Sequence, residues 1–373
     1  MTSRLLRTLG TALVGAMFLA ACGSDKPKPV ALESLTPKIA GRVVWQAKVD
    51  GARFALSVAG QGDRFIAAGD DGTVLALDAA SGRELWRASA GGRISAGVGS
   101  DGRWSAVVTQ ANEVVVFDGA QVSWRARLPA RTVTAPLVAG ERVFVMTVDR
   151  TVHAFDAVDG RRLWVLQRPG EALTLGQAGL LTSYRDTLIV GQGPRLAGVD
   201  PLKGAVRWEV PIASPRGTNE VERLADLIGP PVRIGRFFCA RSFQAAVGCV
   251  DADRGALQWA RNVGGIQAVG GDDKVIVGAD ASDRISAWRF AGGEPAWTNE
   301  KFLHRATSGF VSVGKTVVFG DGDGFVHFLD RDSGDAVLRL ATDGTPVVGT
   351  PALAGTTMLV VTRGGGLFAL RPE

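Results

Sequence analysis

Ala76-Leu77-Asp78-Ala79-Ala80-Ser81-Gly82-Arg83-Glu84-Leu85-Trp86 sets an Asp, then a Gly four residues on, then a Trp four residues further. The triplet returns as Asp156/Gly160/Trp164, Asp200/Gly204/Trp208 and Asp251/Gly255/Trp259. Partial copies keep two of the three: Asp118 precedes Trp124 by two residues fewer, Arg289 stands before Gly293 and Trp297, and Leu338 follows Asp330 and Gly334. Four-and-four spacing also fits one face of a helix, but a Gly at the centre of every copy would cost each helix about 1 kcal/mol. The runs upstream, such as Thr73–Leu77 and Asn112–Phe117, are β-branched and apolar between Gly, Asp and Asn, which is strand composition. Each copy therefore reads as a strand, an Asp-Gly turn and a Trp-bearing strand. Asp serves the turn by accepting from nearby amides, and Gly by admitting positive φ.

Taken with Trp45 and Leu338, the Trp-equivalent positions are 45, 86, 124, 164, 208, 259, 297 and 338, with steps of 41, 38, 40, 44, 51, 38 and 41 residues. A period of about 40 residues filled by four short strands is the signature of a propeller blade. The expected fold is all-β, an eight-bladed β-propeller of four-stranded antiparallel blades, with the Trp residues as inter-blade packing. The last blade, Thr350 to Leu370, has only three strands, while Val43-Val44-Trp45-Gln46-Ala47 is an outer strand with no blade. Their pairing would close the ring and remove its open edge.

The chain divides into three parts: residues 1–21, 22–41 and 42–373. Met1 to Ala21 reads as a leader, with Arg4 and Arg7 before the short apolar run Thr11–Leu19, ending in Leu19-Ala20-Ala21-Cys22. That ending resembles the lipobox of bacterial lipoprotein precursors, which implies acylation of Cys22. Gly23 rather than Asp after the Cys points to the outer membrane. Acyl chains would supply the anchor, at about 0.8 kcal/mol per buried CH₂. Ser24 to Gly41, with Pro27, Pro29 and Pro37, reads as an extended, solvated tether. No later run approaches the length of a membrane-spanning helix. The net charge of +5, two of it from the leader arginines, is far from a nucleic-acid footprint.

The Ala-Leu-Asp-x-x-x-Gly-x-x-x-Trp repeat resembles the quinoprotein-type propeller repeat. With the lipobox, and with Arg216–Asp226, Leu303-His304-Arg305 and Gly320–His327 in that order, the whole chain resembles the BamB family. These are propeller lipoproteins of the outer-membrane β-barrel assembly machine. The resemblance implies a non-enzymatic scaffold on the periplasmic face of the outer membrane. It also implies binding to the periplasmic POTRA domains of BamA and assistance to nascent outer-membrane proteins, and no cofactor. It places partner contacts at Leu173, Leu175 and Asp226, while Gly176 and Ile228 stand where the family has an Arg and a second Asp.

Those contacts fall in the two longest inter-Trp steps. In the longer one, Asn219-x-x-Glu222 has the form of a capping box and Gly229-Pro230-Pro231 of a stop. A short helix between them would line up Val221, Leu224, Leu227 and Ile228 with Arg223 alongside, which makes Arg223 a further candidate contact. The stripe could equally pack back on the propeller. Transient strand addition at an exposed blade edge is one way a client could be held.

Other chemistries have little support. The three His residues, 153, 304 and 327, form no His-x-x-x-His, and no Cys-x-x-Cys is present, so no metal site is expected. Arg363-Gly364-Gly365-Gly366 lacks the Lys-Ser/Thr of a phosphate loop. Two alternatives stay open: a pyrroloquinoline-quinone-type dehydrogenase and a periplasmic ligand-binding propeller. Cys239 and Cys249 are ten apart rather than vicinal. They could form a cross-strand disulfide, or Cys249 could be a buried thiol in the slot that holds Ala76 and Ala154 elsewhere.

Overall fold

The structure, a computed structural model, describes residues 27–53, 55–168, 175–214 and 218–372. The leader, Cys22 and Leu173 lie outside them. The described residues form eight sheets, antiparallel but for one added strand, and no helix. Blade 3 shows the pattern, with strands Leu137–Ala139, Arg142–Met146, Val152–Asp156 and Arg162–Leu166 running outward in chain order.

The ring closes as the sequence predicts. Strand Gly41–Lys48 pairs antiparallel with Gly366–Pro372, from Gly41 opposite Pro372 to Lys48 opposite Gly366. It becomes the outer strand of the last blade, whose two innermost strands are Val347–Ala354 and Thr357–Thr362.

No single core holds this ring together. The buried apolar residues fall into eight clusters, each shared by two neighbouring blades. The repeat makes these joints. Asp78 Oδ1 accepts from the Ser81 amide at 2.8 Å and Gly82 takes a φ of 73°, which turns the chain back into the Trp86 strand. The indole of the preceding blade lies on that turn: Trp45 Nε1 donates to the Ala79 carbonyl at 3.0 Å, and a Cβ on Gly82 would come within 2.6 Å of the ring. Trp124 bonds Ala157 at 2.8 Å, Trp164 bonds Pro201 at 2.9 Å and Trp297 bonds Arg331 at 2.7 Å in the same way. Trp86 differs: the shorter turn after Asp118 has no Gly four residues on, and a Cβ on its Gly119 would meet nothing within 4 Å.

Two expectations need correction. The segment expected to be a solvated tether is extended but docked from Val30 onward. The Val30 amide donates to the Leu303 carbonyl at 3.0 Å, the Lys38 amide to Val337 at 2.8 Å, and Lys301 pairs with Glu33 at 2.8 Å. Leu32 and Ile39 pack on the clusters of blades 6 to 8. Their spacing among prolines hid an apolar anchor pair. The second correction concerns the helix over 219–228. The Asn219 cap forms, with Glu222 N to Asn219 Oδ1 at 2.9 Å, but only one turn follows. Leu227 and Ile228 instead open strand Leu227–Ile234 and are buried, whereas Val221 is 67% exposed, so no helical stripe exists. Pairing with Phe237–Ser242 outweighs the local capping signal.

Inside the channel, Ala55–Leu56 adds as a parallel fifth strand to the inner strand Ile94–Ser100 of blade 2. No repeat or alternation of residues announces this strand.

A candidate partner-binding cleft on the upper face

Antiparallel order puts the turns between second and third strands, and the connections between blades, on one face of the ring, hereafter the upper face. Three of its segments converge beside blades 3 to 5. The first is the turn Thr147–Thr151, closed by Thr147 N to Thr151 O and Arg150 N to Thr147 O, both 2.9 Å. Asp149 stiffens it. Burial pushes its carboxyl up, but bonds from the Thr147 hydroxyl and the Thr151 amide outweigh that and hold it below the ordinary carboxylate range. The turn sets Arg150 at a φ of 63°.

The second segment carries Asp226. The Leu227 amide donates to Gly193 O at 2.8 Å and the Phe243 amide to Asp226 O at 2.9 Å, so its backbone is tied to both flanking blades. Arg150 Nε donates to Asp226 Oδ1 at 2.8 Å, and the two side chains are 17% and 14% exposed. The third segment, from Leu175, is fixed where the Gly179 amide donates to Thr134 Oγ1 at 2.8 Å and Gly179 bridges Ile228.

The structure thus brings Leu175 and Asp226 to one cleft, lined also by Val133, Met146, Val148 and Ile228. Arg223 is half-buried on the neighbouring turn and is not part of this lining. Gly176, where the resemblance expects an Arg, lines the neighbouring channel mouth rather than the cleft, and a Cβ on it would meet nothing within 4 Å. Ile228 is buried in its strand, and a carboxylate there would be surrounded by apolar groups. Sequence reasoning missed Arg150, which returns a cation to the cleft. Its pairing spans 76 residues and leaves no local signal.

The mouth of the channel is a cavity of about 570 Å³ that adjoins the cleft, sharing Thr134, Gly179 and Ile228 with it, and is lined also by Leu56, Val58, Pro230, Ile266 and Leu353. None of its described lining residues is charged. An adjoining cavity that shares Gly176 carries Arg53 and Arg131, and neither lining has a carboxylate among its described residues to hold the calcium of a quinone site. Cys239 and Cys249 face each other across adjacent strands of blade 5, joined as a disulfide and fully buried. His153 and His327 occupy matching buried strand positions, and His327 Nε2 bonds Asp321 Oδ2 at 2.9 Å beside Arg305.

The fold defines an eight-bladed β-propeller of the PQQ-like repeat class. A profile described as "Outer membrane protein assembly factor BamB" matches residues 32–95 and 70–299. The factor of that name from Burkholderia pseudomallei is 36% identical over 365 residues, covering 96% of each chain. That from Bordetella pertussis is 34% identical over 370 residues, covering 96% of this chain and 95% of its own. The solved structure of BamB from Moraxella catarrhalis superposes with a TM-score of 0.81 at 20% identity, over 89% of this chain and all of that one. The chain belongs to the family of outer membrane protein assembly factors BamB.

Proposed function

We propose that this protein is a non-enzymatic scaffold of the outer-membrane β-barrel assembly complex. Cys22 anchors it by acyl chains to the periplasmic face of the outer membrane. The upper-face cleft binds the periplasmic POTRA domains of BamA, and the ring assists insertion of outer-membrane proteins. The observation that carries the reading is the meeting of Leu175 and Asp226 in one cleft, from connections on either side of blade 4. Apolar burial around Leu175 and Ile228 supplies the affinity, and the Arg150–Asp226 pair orients the contact. A rigid ring presenting a few loop residues needs no change of shape to do this.

The test is binding of the full-length chain, in detergent, to the periplasmic domains of the same organism's BamA. Wild type binds, and the folded Leu173→Asp/Leu175→Asp variant loses binding by more than tenfold. Equal binding by both would remove this cleft from the interface. The anchor is tested separately: Cys22→Ser moves the protein from the membrane to the soluble fraction, and retention in the membrane would refute lipidation.

A further inference from the structure

A second built surface lies on the opposite, lower face, where the turns between first and second strands emerge. Tyr184, the sole Tyr of the chain, ends the inner strand of blade 4. Its ring packs edge-on against Phe238 at 5.6 Å, and two guanidinium groups lie over it, Arg185 and Arg233, each 4.9 Å from the centroid. Arg233 comes from the neighbouring blade. Beside them Phe237 meets Phe290 edge-on at 5.4 Å, with Arg236 over Phe237 at 5.0 Å. Ile234, Phe237 and Phe290 are half-buried and form the floor of a shallow basin of about 590 Å³.

The charges around the basin are unequal in what they have left to give. Arg185 is paired with Asp253 at 3.1 Å and Arg236 with Asp251 at 2.9 Å. Arg233 donates through Nε to its own turn, at Gly235 O, 3.3 Å away, and has no carboxylate partner among the described residues. Arg233 is exposed and lies 4.9 Å from the Tyr184 centroid, and its bond to Gly235 uses Nε, so the two terminal nitrogens are left for a two-pronged bond to one carboxylate. One available cation over an apolar floor matches a single negative charge next to an apolar side chain. A phosphate dianion would need a second unpaired cation. A bilayer is disfavoured by position, because the docked segment leaves the ring at Val30 beside Leu303 and Arg305, on the upper face.

We propose that this basin is a docking site for an extended peptide carrying a carboxylate beside an aromatic or branched aliphatic side chain. Arg233 receives the carboxylate, and Ile234, Phe237 and Phe290 receive the apolar group. The site is independent of the upper-face cleft, so the ring can hold two different polypeptides on its two faces.

The test uses the full-length chain in detergent and the fluorescein-labelled peptide Gly-Ser-Phe-Glu-Phe-Ser-Gly, read by anisotropy. Replacing the probe's Glu by Gln weakens binding about tenfold, as expected for loss of one charge-assisted bond. Arg233→Gln in the protein weakens the Glu probe by the same factor and leaves the Gln probe unchanged, while its melting temperature matches wild type. Arg233→Lys restores part of the affinity. Equal binding of the Glu and Gln probes, or equal binding by wild type and Arg233→Gln, would overturn the proposal. So would binding to phosphatidylglycerol vesicles in preference to the peptide.

Discussion

Gly160 lies directly under the indole of Trp124: a Cβ there would come within 2.5 Å of the ring, and the residue has a φ of 73°. The two residues belong to adjacent blades, so the Gly of each repeat is a socket as well as a turn residue. Gly160→Ala should destabilise the protein by about 2–4 kcal/mol, from strained backbone and a displaced ring together. Gly119→Ala, with positive φ but open space, should lose only about 1 kcal/mol. Urea unfolding of the two variants measures the difference, and equal losses would show that the ring contact contributes nothing.

The Arg150–Asp226 pair is partly buried, so each partner should depend on the other. A double-mutant cycle with Arg150→Met and Asp226→Asn is expected to give a coupling energy of about 1–2 kcal/mol. Thermal or urea unfolding reads it directly. A coupling near zero would mean that the pair orients nothing.

The Cys239–Cys249 bond closes a loop with a sequence separation of 10. Chain-entropy reasoning gives it about 2–3 kcal/mol. Reductant should therefore lower the melting temperature of wild type and leave a Cys239→Ala/Cys249→Val variant unmoved. Under denaturing, non-reducing conditions neither cysteine should react with a thiol reagent.

Acid should weaken the fold through its buried histidines. Burial holds the imidazoles of His327 and His153 below the ordinary 6.5, against the pull of Asp321 and Asp149. The unfolded chain binds protons that the folded chain refuses, so stability falls as pH drops below about 6.5, until each folded pKa is reached. Across that window each excluded proton changes stability by at most about 1.4 kcal/mol per pH unit. His153→Gln/His327→Gln should flatten the melting temperature between pH 6.5 and pH 5.5 relative to wild type. An unchanged slope would assign the acid sensitivity to other groups.

The propeller was legible because its determinants are local and repeated. Asp78, Gly82 and Trp86 lie within one hairpin, and the same hairpin recurs around the ring. Closure was legible from a missing strand at one end and a spare one at the other. The cleft was legible only in part. Leu175 and Asp226 could be carried over by resemblance, but Arg150 pairs across blades and no spacing reveals it. The short helix was misread because capping by Asn219 is a local signal, and strand pairing of Leu227 and Ile228 overrode it. Arg241 was invisible for a related reason. It is fully buried where other blades carry Ala68 or Ala279, with Nη1 donating to Gly264 O at 2.8 Å. Burial pushes its pKa down to about 10, and Gly265 and Gly278 leave the space it fills.

The most direct test of the scaffold role is site-specific photocrosslinking in cells, with the probe placed at Leu175 on the upper face or at Val158, which is 61% exposed on a lower-face turn of blade 3. Crosslinks to BamA are expected from position 175 and none from position 158. Crosslinks from 158 alone, or none from 175 while the protein is at its normal level, would contradict the proposed role.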